Sequence, residues 1–135
     1  MKRLLFFFLF SAIAVFTFSS CKKEDTSPTT SQKVQGTWIF DKVYDHDVQT
    51  GFPEYRDTTY GMTGDYFDFR SDNRIYSYMD GERDTVAYIF IDDSRMIIDG
   101  DTATIQVLND TQFQLFGKTT QSPADYYEYT LFMKR

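Results

Sequence analysis

One cysteine and one histidine among 135 residues remove several chemistries at the outset. Without a second thiol, no disulfide can close within the chain. The lone histidine, His46, is more often a surface side chain than a catalyst. The chain holds no serine–histidine–acid set with a recognisable elbow and no glycine-rich phosphate loop, so no catalytic residues are assigned and the protein is not read as an enzyme. Basic residues never run beyond two in a row, and acids outnumber bases 20 to 14. Phosphate binding needs a concentrated positive face, which excludes nucleic acid as a partner. After the first twenty residues no apolar run is long enough to span a bilayer, and no stretch holds a helical period.

What stands at the start is an export signal. Lys2 and Arg3 are followed by the apolar run Leu4–Phe10 and Ala12–Phe18, broken only by Ser11 and Thr17, then by the small residues Ser19 and Ser20. A basic start, an apolar stretch and small residues before a cut mark a segment that is removed. Cys21 follows at once. Residues 1–20 resemble a bacterial lipoprotein signal, in which the cysteine becomes the first mature residue and carries the acyl chains. The resemblance implies an outer-membrane lipoprotein held by an N-terminal lipid anchor, with palmitate and diacylglycerol on Cys21. The other reading is an ordinary secretory signal followed by an unpaired thiol. Loss of Lys2 and Arg3 deepens the formal charge of −6 by two further units.

Residues 21–33 are expected to be the lipidated cysteine and a flexible tether. The stretch "KKEDTSPTTSQK" contains no apolar residue and cannot build a core. Its first four residues look like lysine-plus-acid signals that send lipoproteins to the outer face of the outer membrane; a merely polar tether is the alternative. The periplasmic and cell-surface faces both stay open, the surface slightly favoured.

From residue 34 to 135 the pattern is a single all-β domain. Apolar residues recur at spacing two, and turn residues arrive every eight to twelve positions. Eight strands are expected, near 35–45, 64–70, 74–79, 84–91, 94–99, 102–108, 112–117 and 125–134. A two-residue turn at Asp72-Asn73 sets Phe69 against Tyr76 and Phe67 against Tyr78. A turn at Gly100-Asp101 sets Met96 and Ile98 against Ile105 and Ala103. A three-residue loop at 109–111 pairs Ile105 with Leu115 and Val107 with Phe113. An antiparallel meander of this kind removes its edges by closing into an eight-stranded up-and-down barrel.

"GTWIFDKV", Gly36 to Val43, resembles the Gly-x-Trp opening of lipocalins and lipocalin-like bacterial lipoproteins. "YFDFRSDNRIYSY", "MIIDGDTATIQVLNDTQFQLF" and "YYEYTLFMKR" look like the later hairpins of such domains. The resemblance implies that Trp38 packs at the closed base of the barrel, with Lys134 or Arg135 supplying a cation over its ring.

Ten aromatic residues are expected to point inward: Trp38, Phe40, Phe67, Phe69, Tyr76, Tyr78, Tyr88, Phe90, Tyr127 and Tyr129. That many rings nearly fill a barrel of this size. The inward hydroxyls of Tyr76, Tyr78, Tyr88, Tyr127 and Tyr129 need partners, which a polar-lined pocket or ordered water supplies. The long connection from His46 to Thr63 is expected either to lie across the open mouth, with Phe52, Tyr55 and Tyr60 as a lid or rim, or to be an insertion packed on the barrel end. Asp92-Asp93 and Asp99-Gly100-Asp101 are read as turns rather than metal ligands, and no metal or cofactor is assigned. Two function classes follow. One is a non-enzymatic binding module for a small apolar or aromatic ligand, or for a partner segment, at the open end. The other is a structural lipoprotein whose filled barrel displays loops.

Overall fold

Gly36 opens the barrel. Its φ of +104° lies in the left-handed region, and a methyl group there would sit 3.3 Å from the Arg135 guanidinium. Just before it, Thr29 caps the short helix α1 (Thr30–Val34). The Thr29 hydroxyl accepts from Gln32 N–H, and the Gln32 amide oxygen accepts from Thr29 N–H, which satisfies two otherwise orphaned donors. The helix replaces the last residues of the expected tether. The computed structural model describes residues 27–135. The expected export signal and lipidated Cys21 lie outside the described residues.

Nine strands follow: β1 (Gly36–Val48), β2 (Tyr55–Tyr60), β3 (Tyr66–Phe69), β4 (Arg74–Met79), β5 (Glu82–Asp92), β6 (Arg95–Ile98), β7 (Asp101–Leu108), β8 (Gln112–Ser122) and β9 (Asp125–Lys134). Each of β3 to β8 pairs antiparallel with the next, and β9 returns to β1, closing an eight-stranded up-and-down barrel. The ninth strand, β2, shares an edge of β1 with β3. β3 pairs with Gly36–Ile39, and β2 pairs with Lys42–Asp47. The two are halves of one barrel staff, interrupted by residues 61–65. Buried Asp65 fastens that interruption, its carboxylate accepting from the Met62 and Asp80 amides.

The closed end holds the core. Val34, Trp38, Phe69, Ile75, Tyr88, Met96, Phe113, Leu115 and Met133 form one buried cluster. Trp38 lies 5.3 Å from Phe113, and Phe69 sits 5.5 Å from both Phe113 and Tyr88, in tilted or edge-on contacts. Such pairs contribute ~0.5–1.5 kcal/mol each beyond their buried area. The Trp38 indole N–H donates to Val34 O at 2.7 Å, so α1 closes the barrel floor.

Three sequence expectations about register are corrected here. The β3–β4 connection is a three-residue loop in which Asn73 adopts a positive φ and Arg70 N–H donates to Arg74 O. This sets Phe69 against Ile75 and Phe67 against Ser77, one residue away from the expected pairs. Tyr76 and Tyr78 therefore face outward. At β6–β7 the turn residues are Asp99-Gly100, both with positive φ, so Met96 pairs with Ala103 and Ile98 with Asp101. The inward face is unchanged, because the shift is two residues. At β7–β8 Ile105 opposes Leu115 as expected, but a bulge then brings Leu108 rather than Val107 against Phe113.

Several strands are longer than expected, while β3 and β6 are shorter. β1 runs for 13 residues, and β5 and β8 for 11 each. The upper halves of β1, β8 and β9, with β2, extend past the rest of the barrel as a four-stranded flap.

Candidate functional site

The bulge in β1 between Phe40 and Lys42 decides what lines the mouth. Before it, Trp38 and Phe40 point inward; after it, Val43 and Asp45 do. The aligned register then builds the inner surface row by row. Deepest of three rows are Thr59, Val43, Leu131 and Leu115; then come Asp57, Asp45, Tyr129 and Gly117; outermost are Tyr55, Asp47, Tyr127 and Thr119. Going up the flap, the inner face changes from aliphatic to acidic and phenolic.

Two cavities lie against this face. The larger, about 400 Å³ and open to solvent, is walled by Phe40, Val43, Asp45, Phe67, Met79, Tyr127, Tyr129 and Leu131. The smaller, about 180 Å³ and more enclosed, reaches into the barrel between Ile75, Ser77, Asp84, Val86, Ile98 and Leu115. Phe67, Tyr129 and Leu131 belong to both walls. The space exists because the β3–β4 register puts Ile75 and Ser77 inside, where the sequence reading had placed two tyrosine rings. The expectation that aromatic rings nearly fill the interior is corrected for that reason.

Tyr129 is set in place by a glycine. A methyl group at Gly117 would lie 2.3 Å from the Tyr129 ring, so only glycine lets that ring lie across β8. Burial pushes the Tyr129 phenol above its ordinary range. The Tyr127 hydroxyl donates to Asp45 Oδ1 at 2.5 Å. Burial first, then this hydrogen bond, raises the Tyr127 phenol well above the ordinary value. It remains a protonated donor.

Among the sequence-derived candidates, Tyr127 and Tyr129 reach the cavity walls together. Tyr88 does not. It is buried in the floor, where its hydroxyl donates to Arg70 O at 2.8 Å. Tyr76 lies outside, under the Arg70 guanidinium at 4.1 Å and donating to Asp72. Tyr78 also lies outside, stacked on Tyr66 at 6.1 Å. Phe52, Tyr55 and Tyr60 are 72%, 57% and 69% exposed and wall neither cavity. The stretch 46–63 is no free lid: it holds the end of β1, a hairpin turn and β2. Thr50 N–H donates to Asp125 at 2.5 Å, which ties the hairpin tip to the β8–β9 turn.

At the closed end Arg135, not Lys134, covers Trp38. The Arg135 guanidinium carbon stands 3.7 Å from the indole centroid, while Lys134 pairs with Asp41 at 2.5 Å. Sequence reasoning missed Val43 and Asp45 because the β1 bulge leaves no periodic trace, and Met79 because the three-residue β3–β4 loop turns β4 over. His46 was read as a surface side chain and is 7% exposed, on the outer face of the flap. One of its nitrogens meets Glu128 at 2.9 Å, and the other meets Glu54. In the same row stand Arg56, Glu128 and Lys118. Among the described residues no group of three or more histidine, cysteine or acidic side chains is arranged to hold a metal ion.

No family model matches the chain, and no curated protein matches it. Among solved structures, the chain is similar to a deswapped triple mutant of bovine odorant binding protein. That similarity is 16% identity over 76% of this chain and 74% of the other, with a TM-score of 0.46.

Proposed function

We propose that the chain is a non-enzymatic binding module that takes a small apolar or aromatic molecule into the open end of its barrel. One observation carries this reading: the cavity of about 400 Å³, walled by Phe40, Phe67, Met79 and Leu131 with a few polar groups at the rim. Concave, mostly apolar space with a small number of placed polar groups is the usual form of a small-molecule site. The alternative of a filled barrel acting through its loops is disfavoured by the same space. The Gly36-x-Trp38 opening and the order of the hairpins support a lipocalin-like origin.

The export signal and Cys21 support a lipid-anchored protein of the outer membrane, the barrel standing off the bilayer on its tether. Such placement suits capture of a ligand at the envelope. The experiment is native mass spectrometry of the protein isolated from its own host. A reproducible added mass that disappears on partial unfolding supports the reading. A mass equal to the bare lipidated chain, with no small molecule released on denaturation, counts against it.

A further inference from the structure

The placement of charge around the cavity narrows its ligand to one chemical class. The ion-paired cations of the described residues sit outside the barrel: Arg56 with Glu54, Arg70 with Asp68, Arg95 with Asp92, Lys118 with Glu128, and Lys134 with Asp41. The cavity walls are the opposite. They include two carboxylates, Asp45 and Asp84, and no lysine, arginine or histidine. An anionic ligand such as a fatty acid would enter a space with negative charge and no counter-charge.

The geometry at the rim sharpens this. Asp45 lies directly opposite Asp57 across the β1–β2 pair, on the inner face. Like charges placed directly opposite destabilise a strand pair, and a cation between them relieves that cost. Asp47 follows on the same face, against Tyr55 and Tyr127. The partner that Asp45 has is a neutral hydroxyl, from Tyr127. Beside it the Tyr127 and Tyr129 rings stand 6.1 Å apart, offering π-faces that attract a cation. Below them the wall is apolar, formed by Phe40, Phe67, Met79 and Leu131.

We propose that the barrel selects a small organic cation: a flat apolar body carrying one protonated amine. The body lies against Phe67 and Leu131, and the ammonium group donates to Asp45 between the Tyr127 and Tyr129 rings. This rests on the cavity being a ligand site and adds its charge preference. Charge-assisted hydrogen bonds are the strong ones.

The test is calorimetric titration of the purified full-length protein with three matched probes: 1-naphthylmethylamine, 1-naphthalenemethanol and 1-naphthaleneacetate. The amine should bind about ten-fold more tightly than the alcohol, as expected for a hydrogen bond to a charged group. The acetate should bind most weakly. Asp45→Asn should abolish the difference between amine and alcohol. Asp84→Asn, at a carboxylate that walls only the smaller cavity, should keep the preference for the amine; loss of the preference there would move the cation away from Asp45. Equal binding of amine and alcohol, or tighter binding of the acetate, overturns the charge preference and leaves the cavity reading standing. Failure of all three probes to bind overturns both.

Discussion

Arg135 lies over the indole of Trp38, its guanidinium carbon 3.7 Å from the ring centroid, and donates to Gln35 O at 2.5 Å. The last residue of the chain thus seals the floor that the first strand begins. Burial lowers the Arg135 pKa from its ordinary value, which fits a cation sandwiched between an aromatic ring and backbone carbonyls. Trp38 is fully buried, so Trp38→Ala should cost ~3–5 kcal/mol in a denaturant titration. Arg135→Ala, which removes a cation–π contact, should cost ~0.5–2 kcal/mol. A loss below about 1 kcal/mol for Trp38→Ala would place the ring outside the core.

Stability should have a rounded optimum in mildly acidic solution. The hydrogen bond to Glu128, then that to Glu54, raises the His46 pKa above its ordinary 6.5. A raised cation stabilises the fold fully below the unfolded value, and that contribution fades as pH rises through the folded one. The Glu128 carboxyl is lowered from 4.5, chiefly by His46, and Glu54 is lowered chiefly by Arg56 and then by His46. Their contribution is present above the ordinary value and is lost on acidification. Stability should therefore be greatest between about 4.5 and 6.5 and should fall on either side. His46→Gln should flatten the alkaline limb. Urea midpoints across pH measure this, and an unchanged alkaline limb in the variant contradicts it.

Gly117→Ala should disturb the site more than the fold. The added methyl group collides with the Tyr129 ring, which walls both cavities, and pushes it into them. Overpacking of this kind costs ~1–3 kcal/mol. Binding of the naphthalene probes should drop several-fold while the far-ultraviolet circular dichroism stays that of the wild type. Undiminished binding would mean that Tyr129 does not bound the ligand.

Cys21→Ala should leave the protein unprocessed or soluble, because one residue carries all of the proposed acylation. Fractionation of host cells reads this out. Equal recovery of mutant and wild type with membranes would remove the anchor through Cys21.

The antiparallel meander and its closure were legible because each core strand buries one face and alternates at period two. Trp38, Phe69, Tyr88, Phe113, Leu115 and Met133 all carry that signal. β2 was not legible, since Tyr55–Tyr60 is almost wholly exposed on both faces and has no apolar period. The extensions of β1 to Val48 and of β8 to Ser122 are polar for the same reason. Helix α1 is too short for a periodic signal, although Thr29-x-x-Gln32 is a capping box that could have located it.

The site was read in part. Tyr127 and Tyr129 fell on the cavity because β9 keeps strict alternation from Tyr127 through Met133. Tyr76 and Tyr78 did not, because one extra loop residue at Asn73 turns a whole strand over. Sequence offers two turn solutions at Asp72-Asn73, and the choice between them sets whether the barrel is filled or hollow. Asp45 was hidden by the β1 bulge, which changes the parity of every residue beyond Phe40.

Two adjacent residues on β9 test the hollow barrel most directly. Leu131 walls both cavities, whereas Thr130 lies on the outer face, aligned with Tyr44 and Phe116. The measurement is a fluorescence titration of the neutral probe N-phenyl-1-naphthylamine into wild type, Leu131→Trp and Thr130→Trp, each checked for cooperative unfolding. Leu131→Trp should lose affinity by about ten-fold or more, since the indole occupies the ligand's space, and Thr130→Trp should match the wild type. Equal affinity in all three folded proteins, or an equal loss in both variants, would contradict a ligand site inside the barrel.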